Sequence, residues 1–257
     1  MKAKKSLGQH FLKNEQIAQR IAESFLLPHA RVLEVGPGQG MLTQYLLQHE
    51  AELIVVETDR DMILYLQKHY PQLKDHIVHA NFLKLQLDLL FQSQSFGLIG
   101  NFPYNISSQI VFKMLEYKDL IPEMVGMFQR EMAERIISEP GSKTYGVISV
   151  LTQAYYRGEY LFTVKRGHFN PPPKVQSAVI RLTRKPEGEL GCDTKLFRTV
   201  VKQAFSQRRK MLRNTLKSLL PDDILKSDPF FQFRPEKLSV QEFVGLTNRV
   251  EEARENP

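Results

Sequence analysis

Short apolar runs alternate with amphipathic segments along the first two thirds of the chain. The runs rich in Val, Ile and Leu predict five strands, at Arg31–Val35, Leu53–Glu57, His76–His79, Phe96–Gly100 and Met124–Phe128. Segments with apolar residues at helical spacing lie between them, and the clearest are Met41–His49, Met62–Lys68 and Ser107–Glu116. Strands and helices that alternate at this spacing predict βαβ units, and therefore a parallel sheet with helices on both faces.

The pattern changes in the second half of the chain. Two strand-like runs, Tyr160–Val164 and Val175–Leu182, have no helix between them, which predicts an antiparallel hairpin at the edge of the sheet. The polar segment Arg184–Gly191 contains Gly and Pro and marks a domain boundary. Beyond it, apolar residues between Leu196 and Leu220 recur at helical spacing. We therefore predict a domain at residues 1–188, with a basic arm at residues 1–14, and a small helical domain at residues 189–257.

Composition excludes several classes of protein. The 257 residues are 42% hydrophobic and 25% charged, which is typical of a globular protein. No apolar run reaches the roughly 18 residues that span a bilayer, and no apolar segment follows the basic first residues, so we expect neither a membrane span nor a secretory signal. The single Cys192 excludes an internal disulfide, and the seven His show no ligand spacing, so we expect no metal site. We therefore expect a cytoplasmic protein.

The positive charge is concentrated in one stretch. The chain carries a net +7, but residues 165–217 alone carry +11. Such a concentration is typical of a polyanion partner, whose phosphates release counterions when they are neutralised, and the alternative is a solvated basic face. We predict a helix through Gln207–Arg213 whose outward side chains bind the phosphates of such a partner; these are Arg208, Arg209, Lys210 and Arg213. The edge strands add Lys165, Arg166, Lys174, Arg181 and Arg184 to this charge.

A glycine-rich turn follows the first predicted strand. Gly36, Gly38 and Gly40 allow a sharp turn and a close approach of ligand to backbone. The third glycine comes one residue too early for the G-x-G-x-x-G fingerprint of dinucleotide folds. Glu57 ends the next strand, where a carboxylate can accept hydrogen bonds from ribose hydroxyls. The pair indicates a cofactor that contains adenosine, and the alternative is a tight turn without a ligand.

A second motif, Asn101-Phe-Pro-Tyr104, follows a predicted strand and precedes a helix. It resembles the motif of S-adenosylmethionine-dependent methyltransferases that act on the exocyclic amines of bases. The Asn101 side-chain oxygen and the backbone carbonyl at Pro103 can accept hydrogen bonds from such an amine, and Tyr104 offers a face for stacking. Catalysis of this kind depends on orientation and electrostatics rather than on a strong base. The alternative is a turn in which Asn and Pro are favoured for conformational reasons.

Taken together, seven segments in the same order resemble the small-subunit ribosomal RNA adenine dimethyltransferase family, which is also similar to the erythromycin-resistance methylases of the large subunit. These segments are Ser6–Leu12, Val32–Gly40, Val56–Arg60, Gly100–Ser107, Phe128–Glu131, His168–Ser177 and Ala204–Asn214. The resemblance implies an α/β fold, a Rossmann-like class I methyltransferase with a mostly parallel sheet, an antiparallel edge and a helical C-terminal domain. It implies transfer of methyl groups from S-adenosylmethionine to two adjacent adenosines near the 3′ end of small-subunit rRNA. It further implies a role in ribosome biogenesis for a monomer that acts on the immature small subunit.

The resemblance also assigns residues to roles. Those implied for cofactor binding are His10, Leu12, Gly36, Gly38, Glu57, Asn81 and Asn101. Phe169 is implied to stack on the target base opposite Tyr104, and its alternative role is core packing. The family usually has Asn in place of His10 and Asp in place of Asn81. Two other functions stay open, a large-subunit rRNA methyltransferase and a non-catalytic RNA-binding assembly factor.

Overall fold

The computed structural model of the chain describes Lys4, residues 7–186 and residues 190–255. The remaining residues, which include part of the predicted basic arm, lie outside this description. The strands are β1 (Phe11–Leu12), β2 (Arg31–Val35), β3 (Glu52–Glu57), β4 (Ile77–His79), β5 (Gly97–Asn101), β6 (Glu123–Gln129), β7 (Tyr156–Val164), β8 (Phe169–Asn170) and β9 (Ser177–Arg184). The helices are α1 (Glu15–Ala22), α2 (Thr43–Leu46), α3 (Arg60–His69), α4 (Ser107–Glu116), α5 (Arg130–Ile136), α6 (Val147–Gln153), α7 (Thr194–Ala204), α8 (Leu212–Thr215), α9 (Asp222–Ser227) and α10 (Val240–Glu255).

Seven of the described strands form one sheet, in the order β4-β3-β2-β5-β6-β9-β7. The five strands from β4 to β6 are parallel, and β9 runs antiparallel to β6. The order reverses between β2 and β5, because the chain first adds β3 and β4 on one side and then returns to the other. The predicted α/β fold with an antiparallel edge is confirmed.

Most residues of the central strands are apolar on both faces, as expected for a parallel sheet covered by helices. In β2 and β5, Leu33, Leu98 and Ile99 are fully buried. The five predicted parallel strands agree with the structure to within about one residue, and α4 has the predicted bounds. We predicted a helix over Met41–His49, but in the structure only Thr43–Leu46 is helical.

The chain divides into two compact units by its contacts. The first comprises residues 1–133 and 158–184, and the second comprises residues 134–157 and 185–257. In the second unit, α7 begins at an Asp193 cap, whose side chain accepts a hydrogen bond from the Leu196 N–H at 2.6 Å, and packs against α6 and α10. The boundary that we placed after residue 188 stays a prediction, and the division by contacts adds residues 134–157 to the C-terminal unit.

The predicted helix through Gln207–Arg213 is wrong. Helix α7 ends at Ala204, and Met211 has an extended backbone with ψ of 154° before α8 begins. The Leu212 N–H donates to the Phe233 carbonyl at 2.9 Å, and this non-local hydrogen bond replaces the one that a continuous helix would require. The four cations Arg208, Arg209, Lys210 and Arg213, called here the basic cluster, therefore lie in a turn and at the start of a short helix.

Among the described residues, no helix combines the length and the hydropathy needed to cross a membrane. Within the same part of the chain, no three His, Cys, Asp or Glu side chains are grouped so that they could hold a metal ion.

Candidate functional site

A cavity of about 280 Å³ lies in the first unit at the carboxyl ends of β2, β3 and β5. This is the edge of the sheet at which the strand order reverses, and open α/β sheets bind ligands at this position. All seven residues assigned to the cofactor line the cavity, together with Pro103 and Tyr104. The fold thus brings together five segments that are far apart in the sequence.

The glycine-rich turn lines the cavity. Gly36 and Gly38 have φ angles of +71° and +55°, a region that favours glycine, and the Gly36 N–H donates to the Val56 carbonyl at 2.9 Å. A Cβ at Gly38 would lie 3.0 Å from the Phe11 ring. Glycine at position 38 therefore lets the turn fit beneath the N-terminal arm.

Glu57 lies at the end of β3 with its carboxylate held by backbone N–H groups. Oε1 accepts from the N–H groups of Thr58 and Asp59, both at 2.8 Å, and Oε2 accepts from the Gly38 N–H at 3.2 Å. Burial raises the pKa of Glu57 above its ordinary value, and these three donors limit the rise because they stabilise the carboxylate. The arrangement orients an acceptor beside the glycine turn.

A second carboxyl group, Glu34 on β2, also lines the cavity. It is 1% exposed, and its Oε2 accepts a hydrogen bond from the Thr43 hydroxyl at 2.6 Å. Burial is the main cause that raises the pKa of Glu34 to about 8. At neutral pH this group is therefore largely protonated. Our sequence interpretation missed Glu34, although a charged residue inside the apolar run of β2 was a visible signal.

The N-terminal arm closes one side of the cavity. β1 pairs antiparallel with β8, with Leu12 opposite Phe169, and the Lys13 N–H donates to the His168 carbonyl at 2.8 Å. Nearer the N-terminus of the arm, Lys4 Nζ donates to the carboxylates of Asp59 and Asp61 at 2.6 and 2.7 Å. Although burial acts in the opposite direction, the hydrogen bonds from Lys4 and Gln9 hold the pKa of Asp59 below its ordinary value.

The Asn-Phe-Pro-Tyr segment leaves β5 at the rim of the cavity. Asn101 Nδ2 donates to the His10 carbonyl at 3.0 Å, which orients the amide and leaves Oδ1 as an acceptor. The Pro103 carbonyl already accepts the Ile106 N–H at 3.2 Å and has a second lone pair. Phe102 is buried and packs edge-on against Phe128, with a ring separation of 5.2 Å, so it anchors the segment in the core.

His10 and Tyr104 are in direct contact. Their rings are 5.3 Å apart with an interplanar angle of 28°. The His10 Nδ1 atom lies 2.8 Å from the Pro171 carbonyl, and since a carbonyl only accepts, Nδ1 carries the proton in this contact. His10 thereby connects the arm to the segment around Pro171.

Asn81 follows β4 and lines the cavity from the other side. Its Oδ1 accepts the Leu83 N–H at 3.0 Å and caps the short 3-10 turn Phe82–Lys84. The oxygen that we expected to accept a hydrogen bond from the cofactor is therefore already in use. A second lone pair on Oδ1 and the two N–H donors of the amide are what Asn81 offers to a ligand.

Phe169 has a buried side chain. It is 1% exposed and belongs to the apolar cluster that also contains Leu12, and it does not line the cavity. In this conformation Phe169 packs in the core, the alternative that the sequence left open. Its base-stacking role stays a prediction, and it requires the ring to leave this cluster.

In the second unit, three members of the basic cluster are exposed; they are Arg209, Lys210 and Arg213. Arg208 is half-buried and donates to the Ser142 carbonyl at 3.3 Å.

We also expected Arg181 and Arg184 to add to the positive surface, but both are paired. Arg181 Nη2 lies 2.7 Å from Glu159, and Arg184 Nη2 lies 3.1 Å from Asp119. Their charges are therefore compensated within the first unit.

Comparisons with known proteins identify the family and support the fold. The sequence profile of the family described as Ribosomal RNA adenine dimethylase matches residues 1–249. A ribosomal RNA small subunit methyltransferase A from Bacteroides thetaiotaomicron is 58% identical over 255 residues, which cover 98% of this chain and 96% of the relative. Among solved structures, a dimethyladenosine transferase from Plasmodium falciparum has a TM-score of 0.80 at 25% identity, covering 95% of this chain and 98% of its own. The 23S rRNA methyltransferase ErmE has a TM-score of 0.68 at 26% identity, covering 94% and 99%.

Proposed function

The chain belongs to the ribosomal RNA adenine dimethylase family, and we propose that it transfers methyl groups from S-adenosylmethionine to the N6 amines of two adjacent adenosines near the 3′ end of small-subunit rRNA. The observation that carries the proposal is the cavity itself. It unites the glycine turn, Glu57 and the Asn101–Tyr104 segment at one edge of the sheet.

The residues of the cavity fit S-adenosylmethionine. Glu57 presents a preorganised acceptor for ribose hydroxyls, and at Gly36, where an added Cβ would have only Pro103 within 4 Å, at 3.9 Å, the missing side chain leaves room for the methionine portion. His10 and Leu12 contribute from the arm, and we assign Asn81, which also lines the cavity, to the cofactor adenine. When bound, S-adenosylmethionine supplies an electrophilic methyl group.

The Asn101–Tyr104 segment orients the amine that is methylated. The N6 lone pair of adenine is delocalised into the ring, so the amine is a weak nucleophile. Asn101 Oδ1, whose amide is held by the His10 carbonyl, accepts one amine hydrogen, and the free lone pair of the Pro103 carbonyl accepts the other. These contacts favour a tetrahedral nitrogen and direct its lone pair, while the Tyr104 ring holds the base by stacking.

For the partner we propose the immature small ribosomal subunit, bound by a monomer in the cytoplasm. The exposed cations of the basic cluster support contacts with phosphates, which position RNA without reading its sequence. A target adenosine in an RNA loop leaves its stack more easily than one in a duplex. The relatives that are named ribosomal RNA small subunit methyltransferase A support the small subunit as the substrate over large-subunit rRNA.

The test is methyl transfer to purified immature small subunits from radiolabelled S-adenosylmethionine, with mapping of the modified positions. We expect dimethyladenosine at two adjacent positions and none in large-subunit rRNA. Asn101→Ala should lower the rate at least a hundredfold while calorimetry still detects cofactor binding. No dimethyladenosine in the small-subunit rRNA would refute the proposed function, and detectable cofactor binding without transfer would favour a non-catalytic assembly factor.

A further inference from the structure

The Tyr104 hydroxyl has a partner outside the Asn101–Tyr104 segment. Its oxygen lies 2.5 Å from the Oγ of Ser177, which is 73 residues farther along the chain. Burial raises the pKa of Tyr104 above its ordinary value, so the phenol stays protonated and can donate or accept in this contact. The hydrogen bond joins the end of the ring to a different part of the sheet.

Ser177 is a fully buried residue of the sheet. It is the first residue of β9, lies opposite Gln129 of β6 in the sheet register, and has no exposed surface. A buried hydroxyl costs about 1–3 kcal/mol unless it is hydrogen-bonded. Three buried apolar residues, Ala178–Ile180, follow it in the strand, so the Ser177 hydroxyl lies in a largely apolar part of the sheet. Tyr104 is the hydrogen-bond partner that the described residues provide for the Ser177 hydroxyl.

The position of this contact explains what it restrains. A tyrosine that stacks on a base must keep its ring in one plane, and rotation about the Cα–Cβ bond moves the hydroxyl farther than any other atom of the side chain. A hydrogen bond at the hydroxyl therefore limits the swing of the ring more effectively than a contact near the backbone does. His10 adds a restraint on the ring face, with the centroids 5.3 Å apart.

We propose that Ser177 is a positioning residue that holds the Tyr104 ring in the orientation in which it stacks on the target adenine. The proposal rests on the proposed function and assigns a residue to it that does not line the cavity. Ser177 acts through Tyr104 and does not touch the cofactor or the reacting amine. Its loss should therefore affect the transfer step and leave cofactor affinity unchanged.

A double-mutant cycle on full-length protein tests this role, with immature small subunits as the substrate. The variants are Ser177→Ala, Tyr104→Phe and their combination. We expect each single variant to lower kcat about tenfold, since each removes the same hydrogen bond, and the double variant to lose no more than either single one. The affinity for S-adenosylmethionine, measured by calorimetry, should change less than twofold.

Two further variants separate positioning from stability. Ser177→Thr retains the hydroxyl and should keep at least half of the wild-type kcat. Ser149→Ala is the matched control, because Ser149 is also fully buried and its hydroxyl donates to the Arg135 carbonyl in the second unit. It should lower Tm and leave the kcat of the folded protein unchanged.

The inference is overturned if Ser177→Ala keeps kcat within twofold of the unaltered chain, or if the two single losses multiply in the double variant. Should Ser177→Ala fail to fold, Tyr104→Phe decides alone, and a wild-type kcat for that variant rejects the inference. If the unaltered chain transfers no methyl groups, the proposed function itself fails. If the unaltered chain transfers methyl groups and the variants have the same kcat, only the positioning role fails.

Discussion

Replacement of Glu34 by glutamine should stabilise the ligand-free protein at neutral and alkaline pH. The carboxyl group is 1% exposed, and burial raises its pKa from 4.5 to about 8. Because folding raises the pKa of this carboxyl, its contribution to the free energy of unfolding is fully present below pH 4.5. That contribution is lost as the pH rises towards 8. Glutamine has no charge to bury, and its oxygen can still accept the hydrogen bond from Thr43.

The magnitude follows from the two pKa values. At 1.36 kcal/mol per pH unit, the displacement of the Glu34 pKa from 4.5 to about 8 destabilises the folded protein. As upper limits, the loss is on the order of 5 kcal/mol at pH 8 and about 3 kcal/mol at pH 7. At pH 5 the same relation gives a destabilisation of less than about 1 kcal/mol. The advantage of Glu34→Gln should therefore grow by several kcal/mol between pH 5 and pH 8.

Urea unfolding followed by circular dichroism at pH 5, 7 and 8 measures this advantage. Glu50→Gln is the matched control, because Glu50 is exposed, and it should show no pH-dependent difference. If Glu34→Gln has the same free energy of unfolding relative to wild type at pH 5 and pH 8, or is destabilised at both, the assignment of a raised pKa to Glu34 is wrong.

Three further predictions concern the cavity and the basic cluster. Asn81→Asp should tighten S-adenosylmethionine binding several-fold in calorimetry, because one carboxylate oxygen can cap Leu83 while the other accepts from the cofactor; unchanged or weaker binding would contradict this. Gly38→Ala should destabilise the fold by about 1–3 kcal/mol in urea unfolding, because the φ of +55° and the Phe11 ring at 3.0 Å both oppose a Cβ, and a wild-type midpoint would contradict this. Alanine at the three exposed positions of the basic cluster should reduce the slope of log Kd for RNA against log salt by about 2, as filter binding can measure. An unchanged slope would show that these cations do not contact phosphates.

The sequence by itself determined the parallel strands and the strand-end residues that meet in the cavity. Alternation of apolar runs is a local property, because it follows from the burial of parallel strands on both faces, so β2, β3 and β5 could be located from it. Parallel strands place their carboxyl ends at one edge. For that reason Gly36, Glu57 and Asn101, each near the end of a predicted strand, could be expected to meet, and they all line the cavity.

Only the tertiary structure decided the interactions between distant segments. The Tyr104–Ser177 hydrogen bond, the pairing of Leu12 with Phe169 and the break before Leu212 each depend on a partner that no local pattern specifies. The same holds for charge. Sequence counts Arg181 and Glu34 as charged residues, but an ion pair neutralises the first and burial shifts the pKa of the second to about 8. Periodicity records which face of an element is apolar, whereas the partner and the solvent exposure of a polar group are set only when the elements pack together.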